Sequence, residues 1–256
     1  MISVICCSID PSKASRIEQH YHTLLGDEPH EFIGVRAPRS LAEGYNGAID
    51  RSRGDILVFS HDDIEFLDSS TWLPRLKEHL DHYDVVGLAG TTRLVSAAWA
   101  SAGPPYTFGQ VGELDGRKAP FRALLCSAPA PAIPGIQAID GLFIAARRSV
   151  LERVRFDQQL FDGFHLYDID FSFSAHVTGF QVAVAADLPV LHYSQGGFDA
   201  NWERYATKFL AKWRARLPRV APRLFQHAVV SAQSKDELLE IFNAARKHWC
   251  TASHTR

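Results

Sequence analysis

Cysteine is scarce and poorly spaced for its structural uses. The four residues Cys6, Cys7, Cys126 and Cys250 include an adjacent pair in an apolar run and no CxxC, which excludes a secreted disulfide framework and a paired-thiolate zinc site. Reduced thiols in a cytoplasmic protein are expected instead. Charge of one sign is missing as well: 27 Lys and Arg against 29 Asp and Glu leave a net charge of −2. No global field therefore draws the chain to nucleic acid. No run approaches the roughly 18 apolar residues that span a bilayer. The N-terminal Ile2-Ser3-Val4-Ile5-Cys6-Cys7 breaks at Asp10-Pro11, too early for a signal-peptide core and without a basic lead-in. Internal repeats and low-complexity tracts are absent. What remains is a 256-residue chain, 46% hydrophobic and 22% charged, the composition of a globular protein with one large domain or two small ones. The 12 His are numerous and supply candidate metal ligands.

Short apolar runs alternate with helix-like segments through the first ninety residues, the pattern of a parallel sheet with crossover helices. Strands are expected at 2–8, 30–36, 55–60 and 84–90, and helices at 12–25, 41–52 and 70–80. From 97 to 134, Gly, Pro, Ala and Ser accumulate, which favours loops and short hairpin strands. Such a segment either covers a site or forms a solvent-facing insertion. Beyond it come a strand at 139–146, a helix at 171–178 stopping at Gly179, and short strands at 181–185 and 190–193. The last third reads as helical, with Trp202, Tyr205, Ala206, Phe209, Leu210, Trp213 and Leu217 at helical spacing and a capping box from Ser234 to Glu237.

The segment richest in chemistry is Gly54-Asp55-Ile56-Leu57-Val58-Phe59-Ser60-His61-Asp62-Asp63, where an apolar strand runs into an imidazole and two carboxylates. Ligands of open α/β sheets bind beyond the carboxyl ends of strands. These side chains therefore suit a divalent cation holding a substrate diphosphate, or else cap the following segment as an ordinary polar loop. Tyr167-Asp168-Ile169-Asp170-Phe171 sits at a helix start, where the dipole favours acids whatever their function and keeps Asp168 ionised. An ionised carboxylate beside a bound hydroxyl is a general base. His192 ends an apolar strand and is either a structural residue or a ligand.

The order of these pieces resembles the inverting glycosyltransferases of family 2, which have the GT-A fold, and the likeness runs from about residue 2 to about 197. It looks closest to the bacterial branch typified by the streptomycin-biosynthesis-type glycosyltransferase domain, whose metal motif begins with His. The matching pieces are the strand ending at Ser8, Ala42-Glu43-Gly44-Tyr45-Asn46-Gly47-Ala48, Gly54-Asp55 leading to His61-Asp62-Asp63, Asp140-Gly141 with Arg147-Arg148, Phe156-Asp157 with Leu160-Phe161, Tyr167 to Phe171, and His192. The resemblance implies a Rossmann-like α/β domain (1–197) with a mixed, mainly parallel sheet flanked by helices, and a helical C-terminal extension (198–256) packing on it. It implies transfer of a sugar from a nucleotide-diphosphate sugar to an acceptor hydroxyl, with Mn²⁺ or Mg²⁺ as cofactor. Asp63 and His192 take the metal-ligand positions, and Asp168 that of the catalytic base. Ser8, Asn46, His61, Asp62 and Gly141 line the nucleotide-sugar site.

Two departures stand out: His61 replaces the first Asp of the family's Asp-x-Asp motif, and Arg36-Ala37-Pro38-Arg39-Ser40 lacks the acid that commonly contacts the base. The rival readings are a non-catalytic sugar-nucleotide-binding or assembly protein with the same fold, favoured by the His61 departure, and a metal-dependent phosphohydrolase built on the same His and Asp cluster. The run from Arg204 to Arg223 carries seven Lys and Arg and no acid. Its alternatives are a core helix with a solvated basic back, or a peripheral contact with anionic lipid or a polyanionic acceptor, the first favoured.

Overall fold

The computed structural model describes residues 1–115, 119–194, 197–219 and 227–246; Cys250 and Arg223 lie outside them. The chain opens with β1 (Ile2–Ser8), α1 (Pro11–Leu25), β2 (His30–Arg36), α2 (Leu41–Arg51), β3 (Ile56–Ser60), β4 (Ile64–Phe66) and α3 (Ser69–His82). Strands β5 (Val85–Gly87) and β6 (Ala89–Thr91) lead through a 3-10 turn, Trp99–Ala102, to the hairpin β7 (Thr107–Leu114) and β8 (Phe121–Leu125). Next come β9 (Ala132–Ile133), β10 (Ala138–Ile139), β11 (Phe143–Arg147), the single turn α4 (Arg148–Leu151), α5 (Tyr167–Thr178), β12 (Val182–Ala185) and β13 (Val190–His192). The chain then forms α6 (Ala200–Trp213), β14 (Ala228–Ala232) and α7 (Lys235–Arg246).

Local chemistry sets the helix ends. Asp10 accepts hydrogen bonds from the Ser12 and Lys13 amides with Pro11 at the first helical position, and Gly26, at φ 53°, stops α1. Ser40 caps α2 by accepting from the Glu43 amide, and Asp199 caps α6 by accepting from the Trp202 amide. Each side chain satisfies amide groups that the first turn leaves without helical partners.

Seven strands form the main sheet in the order β2-β1-β3-β11-β5-β12-β9. Strands β2, β1, β3, β5 and β12 run the same way, and β11 and β9 oppose them. This is the expected mixed, mainly parallel α/β sheet of the GT-A fold. Alternation along the strands splits the core. Ile5, Leu57, Phe59, Ile144 and Val184 face one layer with α2, α5 and α6, while Val4, Cys6, Val58, Phe143 and Ala145 face another with α1 and α3. A second sheet runs β10-β6-β7-β13-β4, with β8 on β7 and β14 on β8.

Two strands expected to be continuous are each divided between the sheets. The 84–90 run separates at Leu88 into β5 in the main sheet and β6 in the second; the 139–146 run separates at Asp140-Gly141-Leu142 into β10 and β11. The 97–134 segment contributes β7 and β8 to the second sheet, and within the C-terminal segment read as helical, β14 pairs antiparallel with β8. Helix α6 joins the main core through Tyr205, Ala206 and Phe209. Among the described residues, no helix is long and apolar enough to cross a membrane.

Candidate active site

Strand β3 ends at Ser60 and β4 begins at Ile64, so His61, Asp62 and Asp63 occupy the corner between the two sheets. Antiparallel pairing of β13 with β4 sets His192 opposite Ile64, and the Tyr193 amide donates to the Asp63 carbonyl at 2.8 Å. Strand register thus carries His192 to Asp63 across the intervening sequence. The His192 Nε2 lies 3.2 Å from Asp63 Oδ1 and 3.5 Å from His61 Nδ1. One nitrogen from each ring and one carboxylate oxygen all lie within 4.8 Å of one another.

Burial opposes ionisation of Asp63, yet the His192 hydrogen bond and the neighbouring imidazoles hold its carboxyl well below the usual carboxylate range. Burial likewise works against a charged His192, and the Asp63 carboxylate overrides it, raising the imidazole's pKa. His61 is lowered by burial and by the adjacent His192. The group therefore offers an ionised oxygen and a neutral imidazole at one point, a donor set that fits a divalent metal.

Asp168 enters from α5. No side chain caps this helix; Leu166 takes the left-handed conformation at φ 63° and turns the chain abruptly into it, a backbone state uncommon for a branched apolar residue. Asp168 Oδ2 accepts the Gly141 amide at 2.8 Å, and the Tyr167 hydroxyl lies 3.3 Å from the Gly141 carbonyl and 3.0 Å from His61 Nε2. A Cβ on residue 141 would meet the Tyr167 hydroxyl and come within 2.8 Å of Asp168 Cβ, so only glycine permits this approach. The expectation that the helix dipole keeps Asp168 ionised at neutral pH is corrected. Burial and the neighbouring Asp140 carboxylate push its pKa up to about 7, against the opposing backbone N–H groups of the helix start and Gly141.

His61, Gly141, Asp168 and His192 line one cavity of about 310 Å³, whose walls include Val111, Glu113 and Leu124 from the β7–β8 hairpin. The Gly- and Pro-rich segment therefore contributes to the site wall. Ser8 and Asp62 are joined by a 2.5 Å hydrogen bond and line an adjoining cavity with Cys7, Ile9, Pro38, Leu41 and Phe164. Asn46 lines neither. Its amide donates to the Phe156 carbonyl and to Gln158 Oε1, and its side-chain oxygen accepts from the Phe156 amide, tying α2 to the segment before α5.

Sequence reasoning assigned no role to three residues of this site. Lys13 Nζ lies 3.7 Å from Asp63 Oδ2; a base in the first turn of a helix opposes the dipole, which was a usable signal. Asp140 accepts from the Leu142 amide and the Trp99 indole, and Tyr167 bridges His61 to Gly141. Both stand within matching pieces, Asp140-Gly141 and Tyr167 to Phe171, in which the resemblance gives its roles to Gly141 and Asp168.

Among solved structures, the mannosyltransferase PcManGT from Pyrobaculum calidifontis, determined with GDP-Man and Mn²⁺, matches 100% of this chain and 75% of its own at 12% identity and a TM-score of 0.52. TarS 1–349 from S. aureus matches 84% of this chain and 72% of its own at 13% identity and a TM-score of 0.49. At these identities the PcManGT likeness shows the fold. No curated protein matches the sequence. The profile described as "Glycosyltransferase like family" matches residues 3–213, a span that holds every residue of the cavity and of the His-Asp-His group, and the chain accordingly belongs to that family.

Proposed function

We propose that the protein transfers a glycosyl residue from a nucleotide-diphosphate sugar to an acceptor hydroxyl, with inversion and with a divalent cation. The observation that carries this reading is the meeting of Asp168 with His61 and His192 in one cavity, Asp63 beside them, at the corner between the sheets. His61, Asp63 and His192 would hold the cation, and two imidazole nitrogens favour Mn²⁺ over the oxygen-preferring Mg²⁺. Bound there, the cation supplies positive charge against the departing diphosphate. Its inclusion of His61 extends the expected ligand pair to three and keeps the likeness to the streptomycin-biosynthesis-type branch within this proposal.

Ser8, Asp62 and the backbone at Gly141 contribute to donor binding. The Asp168 carboxylate takes the acceptor's hydroxyl proton while the acceptor oxygen bonds to the anomeric carbon from the face opposite the diphosphate. The bond from that carbon to the diphosphate oxygen breaks, and its electron pair leaves with the nucleoside diphosphate. A base with a pKa near 7 is well matched to neutral pH, where about half of it is ionised and the ionised form is basic enough to hold the proton.

The test is donor turnover across a panel of UDP-, GDP- and dTDP-sugars. Release of nucleoside diphosphate stimulated by Mn²⁺, and abolished by Asp63→Ala and by Asp168→Asn, supports the reading. Phosphate release from plain nucleotides without transfer of a sugar would replace it with a phosphohydrolase.

A further inference from the structure

The cavity holding Asp168 has an uneven wall. Its outer part carries Trp99, Phe164, Phe198 and Trp202. Phe198 and Phe164 are 71% and 51% exposed, and large apolar side chains left exposed together mark an interaction surface. Phe198 meets Trp202 edge to face at a centroid distance of 4.7 Å, so one ring supports the other. Its inner part carries the carboxylates Glu113, Asp140 and Asp168, and no described lining residue is Lys or Arg. Glu113 is bound to Arg122 from outside the lining. Asp140 accepts the Trp99 indole on one carboxylate oxygen and the Leu142 amide on the other, and each oxygen has a second lone pair for a ligand in the cavity it lines.

From this wall we infer that the acceptor is an uncharged saccharide, whose C–H ring face lies against the aromatic rim and whose hydroxyls donate to the carboxylates. A pyranose has both surfaces, an apolar face and an edge of hydroxyl donors, and the wall offers a counterpart to each. An acceptor bearing phosphate or carboxylate would place like charge beside Asp140 and Asp168, with the proposed cation engaged by the donor diphosphate and no described lining Lys or Arg to meet it. The volume of about 310 Å³ is at the small end of small-molecule sites, roughly 300–1,000 Å³, which suits the terminal unit of a sugar acceptor. Phe198 and Phe164 are specificity residues under this inference, which rests on the proposed glycosyl transfer.

The experiment uses the full chain with Mn²⁺ and the donor that gives the highest hydrolysis rate. Acceptors are neutral methyl hexosides, the matching methyl hexuronides and hexose 6-phosphates. The expected result is transfer to at least one neutral glycoside with kcat/KM at least about tenfold above its charged counterparts. Phe198→Ala then raises the KM for that acceptor roughly 3- to 10-fold, with donor KM held within twofold, and Phe198→Tyr restores it. Because Phe198 is mostly exposed, its replacement does not threaten the fold, and an unchanged Tm verifies this. Better transfer to the phosphorylated or uronic acceptors, or a Phe198→Ala enzyme with unaltered acceptor KM, overturns the saccharide inference while leaving glycosyl transfer intact. A protein that neither binds nor turns over any nucleotide sugar overturns both.

Discussion

Asp168 lies where burial and function oppose each other. Its folded-state pKa of about 7 exceeds the unfolded carboxylate value near 4, so the folded state binds more protons between those limits. The stability contributed by the protonated form is complete below about pH 4 and is lost as pH rises through about 7. Asp168→Asn, which cannot ionise and can still accept the Gly141 amide, is therefore expected to melt above the wild type at pH 8, with the gap narrowed at pH 5 and closing only below about pH 4. Thermal melts at both values check the sign. The same substitution should lower turnover on the order of 10²–10⁴-fold, and the wild-type kcat/KM should climb with pH to a plateau past an inflection near 7. At the partner position, the Cβ of Gly141→Ala forces Tyr167 and Asp168 away from residue 141. A displaced base of this kind costs on the order of 10²-fold in kcat, and a protein that is inactive yet folded by circular dichroism is the expected outcome.

At the scale of elements, α6 and α5 are joined through a carboxylate unrelated to the proposed reaction. Asp170, 1% exposed, accepts from Lys212 Nζ at 2.8 Å and from the Trp213 indole at 2.7 Å, and Lys212 also reaches Asp157 at 2.9 Å. Lys208 similarly pairs with Asp162 at 3.0 Å. Two of the basic residues whose run suggested a lipid or polyanion contact are thus engaged within the chain. Asp170→Ala leaves Lys212 and Trp213 without their buried partner and is expected to cost roughly 2–3 kcal/mol, seen as a Tm lower by about 4–10 °C. Asp168→Asn, two residues away on the same helix, produces no such loss, which separates a structural acid from a chemical one.

For the whole molecule, the legible part was what periodicity and punctuation encode. Strands β1 and β2 coincide with the expected 2–8 and 30–36 because each is bounded by turn or capping residues, and α1 and α2 follow their caps at Asp10 and Ser40. The division of 84–90 and 139–146 was not legible, since an apolar run has the same pattern whether it continues in one sheet or passes to another. That passage is what delivers Asp140 and Gly141 to the site. Strand β14 was hidden for a related reason: its first four residues are exposed, so it has no buried face to pattern, and only pairing with β8 defines it. Of the candidate site, the residue types at 61–63, 168 and 192 were readable, whereas the cross-strand register that joins 63 to 192 and the burial that raises Asp168 belong to tertiary structure. The central claim is that a cation at His61, Asp63 and His192 anchors the donor while Asp168 acts on the acceptor. Calorimetric titration of the turned-over nucleotide sugar into Asp168→Asn and Asp63→Ala, each with Mn²⁺ and with EDTA, tests both halves at once. Tight binding to Asp168→Asn that vanishes in EDTA, and weak binding to Asp63→Ala under either condition, is the predicted result; donor affinity indifferent to EDTA and to Asp63 would contradict the account.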